Sequence, residues 1–202
     1  VESGGNPENI PELSYEEFLN FHRTYYHPSN SYIYLYGNMD MEEKLRFIDE
    51  KYLSAFEALD VDSSIKEQAA FSQVKDLQIE YPIAENEEEE DNLSYNMVVG
   101  NAMDSTLGVA FDVLDYALLS APGAPLKQAL LDAGIGKDIY GDYSDGVLQP
   151  YFSVIAKGAR TARKEEFVSI IRNCLQDIVK NGIDKKAVLS GINYMEFRYR
   201  EA

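Results

Sequence analysis

His22 and His27 are the only histidines in this chain of 202 residues, so metal chemistry would have to begin with them. They lie five positions apart, about 140° around a helix at 3.6 residues per turn, whereas paired helical zinc ligands sit at i and i+4 on one face. Neither begins an H-x-x-E-H motif, and His27 precedes the helix-ending Pro28. Both therefore read as surface or helix-end histidines. Carboxylates are plentiful, with 35 Asp and Glu, but none has a partner in the sequence that would tune it for acid–base work. The run Glu85–Asp91 lacks the D-x-[DN]-x-[DN]-G spacing that wraps calcium and reads as a solvated loop, because unpaired buried carboxylates are costly. No G-x-S-x-G elbow, P-loop or G-x-G-x-x-G is present. Ala133-Gly134-Ile135-Gly136-Lys137 is the one glycine-rich run that suggests phosphate, and Gly134 is better spent as a helix stop. Cys174 falls in an apolar helical stripe and reads as a small core residue. No catalytic residue and no metal ligand is assigned to this chain. Tyr32, Tyr34 and Tyr36 are the candidate substrate-binding residues, a platform for an extended peptide. The competing reading, in which the three rings cover a sheet face beneath helices, is the stronger from spacing alone.

The elements around these residues follow from capping and periodicity. Ser14 with Glu17 is a capping box opening a helix from about residue 15 to 26, which Pro28 stops. Residues 31–36 alternate as a strand, with the three tyrosines on one face and Ile33 and Leu35 on the other. Asp40 with Glu43 opens a second helix carrying Leu45, Ile48 and Tyr52. Residues 59–72 are a polar linker, with a short helix over 64–70 as an option. Beyond it, Leu77, Ile79, Tyr81 and Ile83 alternate, as do Leu93, Tyr95, Met97 and Val99, predicting two antiparallel strands joined by the acidic run. A helix capped at Asp104 or Ser105 runs to about residue 120, apolar on most faces and so expected to be buried; another spans 125–133. Strands follow near 139–143 and 151–157. Thr161 is expected to cap a helix whose inner stripe is Phe167, Ile170, Ile171, Cys174, Leu175 and Ile178. Asp184 caps the last, with Val188, Ile192, Met195 and Tyr199. The order β-β-α-α-β-β-α-α defines an α+β fold, an antiparallel sheet with helices packed on one face.

A hydrophobic content of 45% supports a folded core. The net charge of −17 argues against nucleic acid and anionic membranes and is compatible with cationic peptides as partners. A single cysteine precludes an internal disulfide and fits a reducing compartment, the cytoplasm or an organelle matrix in a eukaryote. No window approaches 18 apolar residues, so no membrane partner is expected. The first residues carry no secretory signal features, and the last lie inside a helical pattern without a stop; the chain reads as a fragment.

Several separated pieces occur in the order of a known pattern: Ser3-Gly4-Gly5-Asn6-Pro7; Ile10-Pro11-Glu12-Leu13; Phe18 to Asn38 with Tyr-Tyr-His-Pro-Ser-Asn at its centre; Pro125-Leu126, Leu130 and Gly134-Ile135-Gly136; Phe152 with Lys157-Gly158; and Asn193 with Glu196-Phe197. Together they resemble the zinc metallopeptidases of the insulinase (pitrilysin) superfamily, in their presequence-protease-like branch. The resemblance implies a parent with four related α+β domains whose two halves close around a peptide in a chamber, with zinc on an H-x-x-E-H helix of the first domain. Under it, residues 1–58 end the catalytic-type domain, 59–72 link, and 73–202 form most of the second, non-catalytic domain. It implies zinc in the parent and none bound by this chain. The partners it implies are peptide substrates and the parent's remaining domains. The parent is then a zinc metalloendopeptidase and this chain alone is predicted inactive. Two other readings compete, a catalytically inactive peptidase-like scaffold or protein-interaction module, and an independent peptide-binding domain with the tyrosines as its groove.

Overall fold

The computed structural model describes residues 4–83 and 91–201. The chain divides into two compact units, residues 1–66 and 67–202.

In the first unit, α1 (Tyr15–Tyr25) begins at the expected capping box: Ser14 accepts from the Glu17 amide at 3.2 Å and Glu17 accepts from the Ser14 amide at 2.9 Å. The chain leaves α1 into a 3₁₀ turn at Pro28–Asn30, and α2 (Met41–Lys51) is capped by the Asp40 carboxylate on the Glu43 amide. Residues 31–36 form no strand, in contrast to the alternating pattern: a ladder needs a neighbour, and among the described residues none lies beside them. No residue of α1, α2 or the intervening turn is buried, so local capping and turn bonds hold this unit.

The second unit carries the core. Strand β1 (Asp91–Val98) precedes α3 (Ser105–Asp115), a π-helical turn at Tyr116–Ser120 and α4 (Pro125–Asp132). Strands β2 (Asp138–Ser144) and β3 (Tyr151–Ala159) follow, then α5 (Lys164–Asn181) and α6 (Lys185–Glu201). The sheet is antiparallel in the order β1-β3-β2, with Leu93 opposite Ala156 and Ile139 opposite the same residue on the other side. Leu93, Phe152, Val154, Ala156 and Ile139 meet Leu118, Leu119, Leu126, Leu130, Phe167 and Ile171 in one cluster, giving the α+β sheet with helices packed on one face. The register slips between Asp91 and Leu93 opposite Gly158, whose φ of +61° only glycine adopts without strain.

Three expectations change here. Residues 77–83 join no ladder among the described residues, where the sheet has three strands, one fewer than its pattern; the acidic segment 84–90 lies outside the described residues. The helix of 105–120 is not buried throughout: Val113, Ala117, Leu118 and Leu119 are buried, whereas Val109 is 44% exposed. The stretch Ser105–Asp132 is long and apolar enough to cross a membrane by length and composition alone, yet it is broken at 121–124 and sinks Leu118, Leu126 and Leu130 into the core. Among the described residues the Thr161 side chain accepts no capping bond; its amide and hydroxyl both donate to Asp91 Oδ2 at 2.7 Å. The stripe of α5 does face the core, Phe167 and Ile171 fully.

Candidate functional site

His27 has a structural task. Its backbone is extended, as a residue before proline must be, and its Nδ1 accepts from the Ser29 amide at 3.2 Å. Its ring meets Phe56 edge-on at 5.4 Å. Around the same turn, the Asn30 side chain donates to the Tyr25 carbonyl at 2.9 Å and accepts from Ser63 at 2.6 Å, while Ser29 accepts from the Leu59 amide at 3.1 Å. His22 stacks on Tyr26 at 4.7 Å. With one ring nitrogen of His27 already bonded to backbone and both rings packed on aromatics, the donor set does not fit a zinc site. Among the described residues no three His, Cys, Asp or Glu side chains converge to hold a metal.

Tyr32, Tyr34 and Tyr36 follow the turn, with relative exposures of 105%, 85% and 84%. All three rings are therefore largely open to solvent. Cys174 is half-buried beside the core, and burial followed by the Asp177 charge raises its thiol pKa, away from a reactive thiolate. Of the acidic run, only Asp91 is described, and the Thr161 hydroxyl and amide hold its carboxyl below the usual range.

Three features were not legible in the sequence. The Arg163 guanidinium caps the C-terminus of α4, donating to Ala133 O at 2.8 Å and Gly134 O at 2.7 Å, and pairs with Glu166. Asp115, at the last residue of α3, turns Oδ1 inward against Gly141 of β2, where no described residue donates to it; a Cβ at 141 would come within 1.8 Å of that oxygen. A cavity of about 280 Å³ lies between residues 76–83 and the start of β1, reaching Thr161 and Lys164. Each depends on segments far apart in sequence, and periodicity carries no trace of such pairings.

The second unit thus defines a class: an α+β layer built on an antiparallel sheet, in a chain whose described side chains assemble no metal or acid–base constellation. The chain belongs to the family described as Peptidase M16 inactive domain, whose profile matches residues 12–195. It is 49% identical over 203 residues to "Protein HypA" of Clostridium perfringens, covering 100% of this chain and 21% of that protein. It is 36% identical over 207 residues to "Presequence protease 1, chloroplastic/mitochondrial" of Arabidopsis thaliana, covering 100% of this chain and 19% of that protein. The mitochondrial presequence protease of Xenopus tropicalis shares 28% over 205 residues, covering 99% and 20% respectively. The chain therefore spans about a fifth of the length of these relatives. Among solved structures, a putative M16-like peptidase from Alicyclobacillus acidocaldarius aligns over 100% of this chain and 47% of its own, with a TM-score of 0.64 at 19% identity, a likeness of fold.

Proposed function

We propose that this chain is a non-catalytic wall of a zinc-dependent metalloendopeptidase that degrades peptides in a closed chamber. The observation that carries the reading is the family match across residues 12–195 in a chain that contains no H-x-x-E-H. Zinc, in this reading, is held by the rest of the parent protein, and this chain binds none. Residues 1–58 close the catalytic-type domain, 59–72 link, and 73–202 form most of the second domain. The two compact units support that division, whereas the family profile runs across both. Tyr32, Tyr34 and Tyr36 face the peptide. A net charge of −17 favours cationic peptides, in the cytoplasm or in an organelle matrix; the plant relative is named as chloroplastic/mitochondrial and the frog relative as mitochondrial.

The test compares the purified chain with its full-length parent on unstructured cationic and acidic peptides at low and high salt. The chain alone should neither retain stoichiometric zinc nor cleave, while the parent cleaves in a chelator-sensitive manner, favouring cationic peptides at low salt. In the parent, Tyr34→Ala with Tyr36→Ala should raise KM by about 5- to 50-fold with kcat little changed, the loss of one to two aromatic contacts. Zinc-dependent cleavage by the chain alone overturns the non-catalytic assignment. A parent without peptidase activity favours a scaffold, and equal rates on both peptides remove the charge argument. Unchanged KM removes the tyrosines from the site.

A further inference from the structure

Between α3 and the break at 121–124 the helix widens into the π-turn Tyr116–Ser120, closed by the Ala121 amide on the Tyr116 carbonyl at 2.7 Å. Such turns are rare and lie frequently at functional sites. Residues five apart stand about 140° apart around an α-helix, whereas the wider turn brings them to one side. The Ser120 hydroxyl thereby reaches Asp115 Oδ2 at 3.3 Å. The same turn sinks Ala117, Leu118 and Leu119 into the core and lays Asp115 Oδ1 in a cleft over β2. That cleft exists because β2 carries a glycine: a Cβ at 141 would also lie 2.6 Å from Leu119 Cδ1.

Asp115 stands between two settings, a cleft without a donor among the described residues and an exposed hydroxyl at its rim. A neutral carboxyl tolerates the first, and a carboxylate is drawn to the second, because a buried charge without partners is costly. The elements packed on the turn bring no cation to hold a carboxylate in the cleft. β2 brings Asp142, with Tyr143 stacked on Phe111 and Tyr140 beneath Lys157 of β3. Asp112 of α3 accepts from Tyr199 of α6 at 3.1 Å, Arg198 of α6 lies over Tyr194, and Lys127 of α4 pairs with Asp138. We infer that Asp115 is a proton-operated latch on the π-turn: protonated, it lies in the Gly141 cleft and holds the turn on β2; ionised, it leaves the cleft toward Ser120 and solvent, and the turn loosens. Burial raises the Asp115 pKa, Ser120 opposes this, and the charges of Asp142 and Asp112 add to it. The seated turn is therefore favoured at low pH and released as pH rises through the Asp115 titration. The movement reaches α6, which packs on the turn: Tyr194 stacks on Tyr116 at 5.1 Å, and Gly191 admits Val113 and Tyr116 so closely that a Cβ there would meet them at 3.2 and 3.3 Å.

Residue-resolved amide exchange of the full chain across about pH 4–8, corrected for intrinsic rates, tests the latch. Opening at residues 117–120 should become about five- to thirtyfold more frequent as pH rises, the effect of leaving one buried polar group unpaired. Asp115→Asn, isosteric and neutral, should hold the low-pH protection at every pH. Ser120→Ala removes the hydroxyl that receives the carboxylate and should move the transition to higher pH. In low denaturant the turn should open with a weaker denaturant dependence than Val154 and Ala156 of β3, which marks a local movement rather than unfolding. A flat profile in the wild-type chain, a profile that survives in Asp115→Asn, a transition unshifted or lowered in Ser120→Ala, or a turn that opens only together with β3 would each overturn the inference.

Discussion

Asp115 shows how one side chain can set a pH dependence. Among the described residues no group donates to its Oδ1, which is shut against Gly141; Oδ2 accepts a 3.3 Å bond from Ser120; and burial, with the charges of Asp142 and Asp112 adding, raises its pKa. The folded-state pKa lies above that of the unfolded chain. The native state is therefore favoured while the carboxyl is protonated, below about pH 4, and that advantage is lost as pH rises through the folded pKa. Asp115→Asn should consequently raise the thermal midpoint at pH 7, by an amount corresponding to about 1–2 kcal/mol, and much less at pH 4. An equal shift at both pH values would show that the charge is not the cause. This residue was invisible in the sequence, where it is one of many acids and Gly141 an ordinary strand glycine. The N-caps were legible, since Ser14 with Glu17 and Asp40 with Glu43 act within one turn and need no tertiary partner. The spacing of His22 and His27 argues against a zinc pair, whereas the turn that His27 organises depends on Asn30, Leu59 and Ser63 and left no trace in the sequence.

At the scale of elements, periodicity located the helices well and their burial less well. The α5 stripe has a clear 3.6-residue period and meets the core as expected, because only one of its faces is apolar. The 105–132 region is apolar nearly all round, so its sequence cannot say which side the sheet will take. The structure decides it: Leu130 is fully buried, while Val109 stays 44% exposed. Leu130→Ala should therefore cost about 2–5 kcal/mol in denaturant unfolding, whereas Val109→Ala should stay within about 0.5 kcal/mol. Similar costs at the two sites would contradict the packing described. Strands failed at 31–36 and 77–83 for one physical reason. Alternation reports a side-chain pattern that suits pairing, but a strand exists only where a partner backbone lies within hydrogen-bonding distance, and that depends on the rest of the fold.

For the molecule as a whole, the contrast between the units has a measurable consequence. The second unit buries Leu126, Leu130, Ile139, Val154, Ala156 and Ile171 completely, so opening β3 or α4 exposes most of that core to water at once. The first buries no helix residue; Phe18, Phe21, Tyr32 and Tyr34 all remain largely exposed, and its ties are exposed hydrogen bonds near the His27 turn. Helices of eleven residues are marginal in water without tertiary support, and capping contributes only about 1 kcal/mol to each. Under native conditions, amides of α1 and α2 should therefore exchange within about a hundredfold of unstructured rates, while those at the centres of β3 and α4 should be slower by several orders of magnitude and approach the global unfolding limit. On the proposed chamber-wall reading the same two helices should gain protection in the full-length parent, because that reading packs the exposed Phe18 and Phe21 of α1 against neighbouring domains. Strong protection of α1 in the isolated chain would show that the first unit holds itself together. Absence of any gain in the parent would remove residues 1–58 from a domain contact and, with it, their proposed place at the end of the catalytic half.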